Sequence, residues 1–431
     1  MKRVLTLVLS LVMLVSLTAC GGGSDNQTDQ AGKSDEDVTV INFFHRWPNE
    51  PRNTFFNELV AEFEKQHPNV KIKVDKVLND PYKEKLRVLV SSDDLPDVFV
   101  SWSDSFAENI VSSGKVKVID DLYKEDPEWA SNIMESQIKP FQFDGKTYGA
   151  PLTIDGKAFF YNKDIFKENN LEVPTTFEEL VDVLAKLKAN GYESPIIEGL
   201  SDAWAISHYL GTMNQRMLDP DVINKDYNPA TGEFTDPAYV KVLEKFKILT
   251  DYMGTVATAI DHETARNMFA SGEVPIVYMQ FAEIKMVEDA GDINFGFFDF
   301  PKFAEGKGNP TALTGAPEGF MLGINAPKEA EEFFKFIISK ENAFRFTKEC
   351  GQFTALKGAV TEENTTKQSL EAYDVIMKAS ATAPWFDNAV NIRIADVFMR
   401  GGQSLAIGEM TPEEIMEKVQ LEATKLREAN N

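Results

Sequence analysis

Four of the five tryptophans in this chain stand close to carboxylate or amide side chains. The segments are His45-Arg46-Trp47-Pro48-Asn49-Glu50-Pro51, Ser101-Trp102-Ser103-Asp104, Ser201-Asp202-Ala203-Trp204 and Ala383-Pro384-Trp385-Phe386-Asp387-Asn388. An indole face stacks on the apolar CH face of a pyranose, and a carboxylate accepts two hydroxyl hydrogens, which together is the chemistry of a carbohydrate site. Each segment also has a packing explanation. A Trp at a strand end packs against its neighbours, and Asp104 could open a helix over 106–110. Trp204, His208 and Leu210 could form the inner face of one helix, which is the role expected of His208, and Asp387 could cap the helix that follows it.

Three more polar residues belong with these. Asp155 lies inside Tyr148–Phe166, YGAPLTIDGKAFFYNKDIF, where Gly149 and Pro151 suit a tight entry and Phe159, Phe160 and Tyr161 form a buried aromatic run. A carboxylate there faces either solvent at an Asp-Gly turn or a cleft between domains. Glu318 sits between Pro317 and Gly319 ahead of an apolar strand, either near a ligand or as a solvated loop charge. Gln280 ends the apolar run Val274–Met279 and is a candidate for direct contact. Catalytic and metal chemistry find no foothold. His45, His67, His208 and His262 lack ligand spacing, and there is no HExxH, paired CxxC, EF-hand loop, phosphate-binding Gly-rich loop or GxSxG elbow. No catalytic residue, metal or cofactor is assigned.

Elements of two kinds must position these side chains. Strand-like runs over 38–44, 71–78 and 97–102 alternate with helix-like runs whose apolar residues include Phe55, Phe56, Leu59, Val60 and Phe63, then Tyr82, Leu86, Leu89 and Val90. That is the βαβ grammar of an open parallel sheet, in which ligands sit beyond the carboxyl ends of strands. The Trp47 and Trp102 segments lie at two such ends. Further on, Thr175 and Glu178 read as a capping box opening a helix that Gly191 closes, and 195–197 reads as a strand. Residues 235–253 and 263–270 read as helices, and 274–279, 293–300 and 319–324 as strands, with a Gly- and Pro-rich loop over 302–317. Residues 328–348 read as a helix with a break, its phenylalanines forming core.

The 431 residues suffice for two domains, and 44 basic against 68 acidic residues give a net charge of −24 that repels phosphate backbones, so no nucleic-acid partner is expected. Lys2 and Arg3, the apolar stretch 4–15 and Leu17-Thr18-Ala19-Cys20 form a signal segment over 1–19 ending in a lipobox-like site with Cys20 as the lipidated residue. A polar, Gly-rich tether over 20–37 follows. The expectation is a lipid-anchored protein on the extracytoplasmic face of the cell membrane. An anionic body would not hold to an anionic membrane unaided. Cys350 then has no disulfide partner and is expected to be a small buried hydrophobe.

The runs Gly149-Ala150-Pro151, Tyr161-Asn162-Lys163-Asp164 with Phe166, and Pro174-Thr175 with Phe177-Glu178-Glu179-Leu180 resemble those of family 1 extracellular solute-binding proteins, the maltose-binding-protein-like sugar receptors of ABC importers. Phe177 replaces the family's usual Trp, and Gln280-Phe281 stands where a Gly-x-Trp is common. The resemblance implies an α/β, two-lobed, periplasmic-binding-protein-like fold of type II, its lobes joined by multiple hinge crossings, the first at Tyr148–Phe166. It implies one lobe of 38–154 plus 282–333 and another of 155–281 plus 334–431, the strand at 274–279 leading back to the first lobe. It also implies a monomeric receptor, not an enzyme, which captures a sugar of oligosaccharide size for the membrane permease subunits of an ABC importer. Trp47, Trp102, Trp204 and Trp385 would stack, and Glu50, Asp104, Asp155, Glu318 and Asp387 would hold hydroxyls, with Gln280 beside them. Two competing readings are a surface glycoside hydrolase, since a sugar cleft with several carboxylates also suits acid/base hydrolysis, and the same receptor carrying a peptide, polyamine or metal complex.

Overall fold

The computed structural model describes residues 38–379 and 381–430. Residues 1–19, the tether at 20–37 and Cys20 lie outside the described residues. The strands are β1 Thr39–His45, β2 Val70–Lys76, β3 Val98–Trp102, β4 Gln142–Phe143, β5 Lys146–Thr147, β6 Gly149–Thr153, β7 Lys157–Asn162, β8 Ile276–Gln280, β9 Phe295–Phe298, β10 Leu313–Thr314, β11 Glu318–Leu322 and β12 Thr382–Ala383.

The sheet of the first lobe has the order β2-β1-β3-β11-β6. Lysines alternate with Val70 and Ile72 in β2, which suits an edge strand with one wet face, whereas every residue of β3 is buried, as a central strand requires. β1 runs parallel to β2 and β3, as the βαβ pattern requires. The parallel order stops there, because β11 is antiparallel to both β3 and β6. The helix Arg52–Gln66 turns Phe55, Phe56, Leu59 and Phe63 inward, and Phe56 meets Phe43 of β1 at 6.1 Å between ring centroids. The expected break in 328–348 falls at Ile338 and Ser339, where the Ser339 hydroxyl caps the new helix Lys340–Cys350 by accepting from Asn342 N. Cys350 is buried.

The second lobe is built on β8-β7-β9, with β7 antiparallel to the strands on both of its sides. Phe159 and Phe160 of β7 make it an aromatic core, with Phe159 against Tyr278, Phe298 and Phe300. The expected strand at 195–197 reduces to a single bridge between Ile197 and Val277. The capping box lies one residue later than the sequence suggested. Thr176 accepts from Glu179 N, and the Glu179 carboxylate takes the backbone N–H groups of Thr175 and Thr176.

Two of the expected lobe boundaries do not follow the sheets. After β8 the chain stays with the second lobe, since helix Ile284–Ala290 packs on His262–Ala270 and β9 completes the sheet beside β7. Only past β10 does it return, at β11. Helices Lys328–Ile337 and Lys340–Cys350 both pack on Arg52–Gln66, so 334–350 belongs with the first lobe. Strand pairing and helix docking are long-range choices, and no local residue pattern in 282–350 encodes them. The first crossing falls where expected, between β6 of one sheet and β7 of the other, at Asp155 and Gly156. The return crossing touches it. A Cβ placed on Gly315 would stand 2.0 Å from the carbonyl oxygen of Asp155, so only glycine lets the two strands of the hinge lie this close.

Candidate functional site

Register sets the first wall of the site. Because β11 is antiparallel to β3, its first residue Glu318 pairs with the last residue of β3, Trp102, and on its other side with Thr153 at the end of β6. The carboxyl ends of β3 and β6 and the start of β11 therefore share one edge. The loop after β1 joins them. His45 is buried, its ring kept neutral with a pKa lowered to about 3 by burial and then by nearby Lys76, and its Nδ1 accepts from Trp47 N at 3.2 Å. Arg46 reaches Glu318 with a forked contact, Nη2 at 2.5 Å from Oε2 and 2.7 Å from Oε1, and Nε at 2.9 Å from Oε2. Its guanidinium carbon is 5.2 Å from the ring centroids of both Trp47 and Trp102, a cation held between two indoles. Lys83, on helix Asn79–Ser91, lies 4.6 Å from the Trp102 centroid.

The second wall comes from helices Ala203–Met217, His262–Ala270 and Phe386–Ala389. Its buried polar groups form a connected set. Glu198 accepts from Lys157 Nζ at 3.5 Å and pairs with His262 Nδ1 at 2.6 Å. His262 Nε2 lies 2.8 Å from Glu283, which also takes Arg266 Nη1 at 3.0 Å. Burial alone would depress the His262 pKa, but the carboxylates of Glu283 and then Glu198 raise it to about 9, so the ring is an imidazolium at neutral pH. His208, desolvated and then repelled by Lys157, is held well below its ordinary value and stays neutral, with Lys157 Nζ 3.2 Å from Nδ1. Trp385 lies flat on His208 at 4.2 Å between centroids.

Between the walls stands the hinge. Asp155 Oδ1 accepts from Gly156 N at 2.8 Å and Ala282 N at 3.1 Å, and Oδ2 accepts from Gln280 Nε2 at 3.2 Å. Burial raises its pKa to about 7, against the pull of those two backbone N–H groups. These surfaces enclose one cavity of about 400 Å³.

Trp47, Trp102 and Glu318 line that cavity from the first lobe, Trp204, Trp385 and Asp387 from the second, and Asp155 and Gln280 from the hinge. Glu50 and Asp104 do not. Glu50 is spent on the helix Arg52–Gln66, accepting from Thr54 N at 3.0 Å and Asn53 Nδ2 at 2.8 Å. Asp104 begins its helix, with a φ of 58° and its carboxylate accepting from Ser103 Oγ at 2.6 Å. Of the four indoles Trp204 alone is half-buried, while Trp47, Trp102 and Trp385 are 5 %, 4 % and 3 % exposed and meet the cavity with little of the ring. His208, assigned from sequence to an inner helix face, reaches the cavity too.

The sequence pattern of the bacterial extracellular solute-binding protein family matches residues 47–344. The chain belongs to that family. Among curated proteins it is similar to an uncharacterised ABC transporter extracellular-binding protein of Pyrococcus horikoshii, 26 % identical over 364 residues and 82 % of each chain. It is similar also to the melibiose/raffinose/stachyose-binding protein MelE of Bacillus subtilis, 24 % identical over 446 residues, 99 % of this chain and 97 % of that one. A solved chitin oligosaccharide binding protein superposes with a TM-score of 0.83 at 22 % identity, covering 91 % of this chain and all of the other, and so shares its two-lobed fold. This solute-binding protein thus works outside the cytoplasm. Its cavity also holds residues that sequence patterns did not single out, Arg52, Lys83, Asp202, His262, Arg266 and Glu283. Arg52 directly follows the Trp47 segment, and that proximity was a usable signal. Glu283 and Arg266 carry none, because nothing in their own segments marks the ion pair they form.

Proposed function

We propose that the protein captures a sugar of oligosaccharide size between its lobes and delivers it, as a monomer, to the permease subunits of an ABC importer. One observation carries the reading. Indoles from both lobes, Trp47 and Trp102 on one side and Trp204 and Trp385 on the other, line a single cavity together with carboxylates. Its volume of about 400 Å³ falls within the ~300–1,000 Å³ usual for small-molecule sites. The names of the oligosaccharide-binding relatives support the same class of cargo. A ligand touching both walls stabilises the closed form over the open one, and that differential affinity drives the closure. A hydrolase finds less support, because the cavity's Glu318 and Glu283 are already engaged by Arg46 and by His262 with Arg266, and both oxygens of Asp155 accept N–H groups.

Titration calorimetry against mono- and oligosaccharides tests the proposal. Trp204→Ala is expected to cost about 2 kcal/mol of binding, roughly thirtyfold in affinity, through lost stacking and apolar contact. Wild-type affinity in that variant would take Trp204 out of the site, and a protein that binds no sugar would end the sugar reading. Anchoring through a lipid on Cys20 belongs to the same proposal. Metabolic labelling with a palmitate analogue should mark the wild-type chain and not Cys20→Ser; equal labelling of both, or of neither, removes the anchor.

A further inference from the structure

The cations that line the cavity are nearly all matched. Arg46 is held by Glu318, Lys83 by Asp387 at 2.5 Å, and Arg266 and His262 by Glu283. Arg52 is the exception. It lines the cavity as the first residue of helix Arg52–Gln66, and among the described residues its guanidinium has neither a hydrogen-bond nor an ion-pair partner. The carboxylates closest to it in influence, Glu318 and Glu283, are those already engaged. Desolvation first, and the repulsion of Arg46 second, lower its pKa to about 10, so at neutral pH it stays charged. Arg52 is half-buried where it lines the cavity, and there a ligand is the natural source of a counter-charge.

Resting on the sugar reading above, we infer that the cargo is an acidic saccharide whose carboxylate binds Arg52, with a uronic acid residue seated against the first lobe. A carboxylate fits better than a phosphate ester. A planar guanidinium fork matches a planar carboxylate bidentately, and one unmatched cation balances one negative charge where a phosphate monoester brings nearly two. The opposite wall sets the orientation. Asp202, Asp261 and Glu263 line the cavity from the second lobe, where they repel an anion and accept hydroxyls. The neutral rings therefore face Trp204 and the acidic one faces Arg52.

Calorimetry on the wild-type protein with matched pairs tests this, each pair being a di- to tetrasaccharide ending in glucuronic or galacturonic acid and its neutral parent, with the 6-sulfated sugar as a third arm. The acidic member is expected to bind about tenfold to a hundredfold more tightly than the neutral one, an advantage that shrinks as salt is raised. In Arg52→Gln the ratio of the two affinities should fall to about one, and Arg52→Lys should recover part of it. Equal or tighter binding of the neutral members overturns the inference and leaves the sugar receptor standing, as does a preference for the sulfated arm over the uronate. A preference for uronate that survives in a folded Arg52→Gln moves the anion site elsewhere and overturns it as well. No affinity for any saccharide removes this inference and the sugar reading together.

Discussion

Asp387→Ala is expected to lower the stability of the protein by roughly 3–5 kcal/mol, the usual result of stranding one partner of a buried ion pair. Asp387 Oδ2 lies 2.5 Å from Lys83 Nζ and Oδ1 accepts from Ser207 Oγ at 2.9 Å, with the side chains of Lys83 and Asp387 only 8 % and 4 % exposed. The pair spans the cleft. Lys83 is on Asn79–Ser91 in the first lobe, and Asp387 is on Phe386–Ala389, which packs on Ala203–Met217 in the second. Alanine at 387 would leave an ammonium group against the Trp102 ring without the one ion-pair partner it has among the described residues. Replacing both partners should be milder, because two apolar residues of similar volume leave nothing uncompensated. Urea unfolding of Asp387→Ala, Lys83→Met and the double variant measures this. The double variant should recover most of the loss, and a single variant within ~0.5 kcal/mol of wild type would show that the pair holds nothing together.

Raising the pH from about 6.5 to about 9 is expected to remove roughly 3 kcal/mol of stability, and His262 to be the main cause. Its folded pKa of about 9 lies above the ordinary value of 6.5, so the folded chain holds a proton that the unfolded chain releases across that interval. The contribution is complete below pH 6.5 and is lost as the pH rises through 9. Asp155 acts in the same direction at lower pH. With its pKa raised from 3.8 to about 7 by burial, it makes stability fall between those values and not beyond them. Glu283 opposes both in acid. Burial would raise its pKa, but His262 and then Arg266 hold it far below the usual carboxylate range, so its contribution is present above about 4.5 and fades as the pH drops. Unfolding free energies at pH 5, 7 and 9 should show the alkaline decline in wild type and a flatter one in His262→Gln. The same decline in both would shift the cause away from His262.

The sequence located much of the cavity's lining, because strand ends are legible locally. Trp47 and Trp102 follow apolar runs that β-propensity and alternation identify, and in an α/β sheet such ends face the ligand. The crossing at Asp155 came from the family resemblance, since an Asp-Gly step between two apolar runs reads equally well as a surface turn. Glu50 and Asp104 misled for a related reason. Both stand beside a tryptophan at a strand end, yet a carboxylate at a helix start satisfies local donors first, and one accepts from Thr54 N while the other accepts from Ser103 Oγ. The lobe boundaries were lost where the pairing of β9 with β7 and the docking of Lys328–Ile337 on the first sheet depend on residues far away in the chain.

By itself, then, the sequence determined most of the elements and the residue types around the cavity, because periodicity and turn chemistry act over a few neighbouring positions, while the two-lobed plan came from the family resemblance. The tertiary structure alone decided which charges are neutralised. Arg46 meets Glu318 through the antiparallel register of β11, and His262 joins Glu198 to Glu283 across three separate segments. Among the described residues the same packing leaves Arg52 without a hydrogen-bond or ion-pair partner. Electrostatic pairing depends on distance in space and on the water removed around each group, and neither is written in the order of residues.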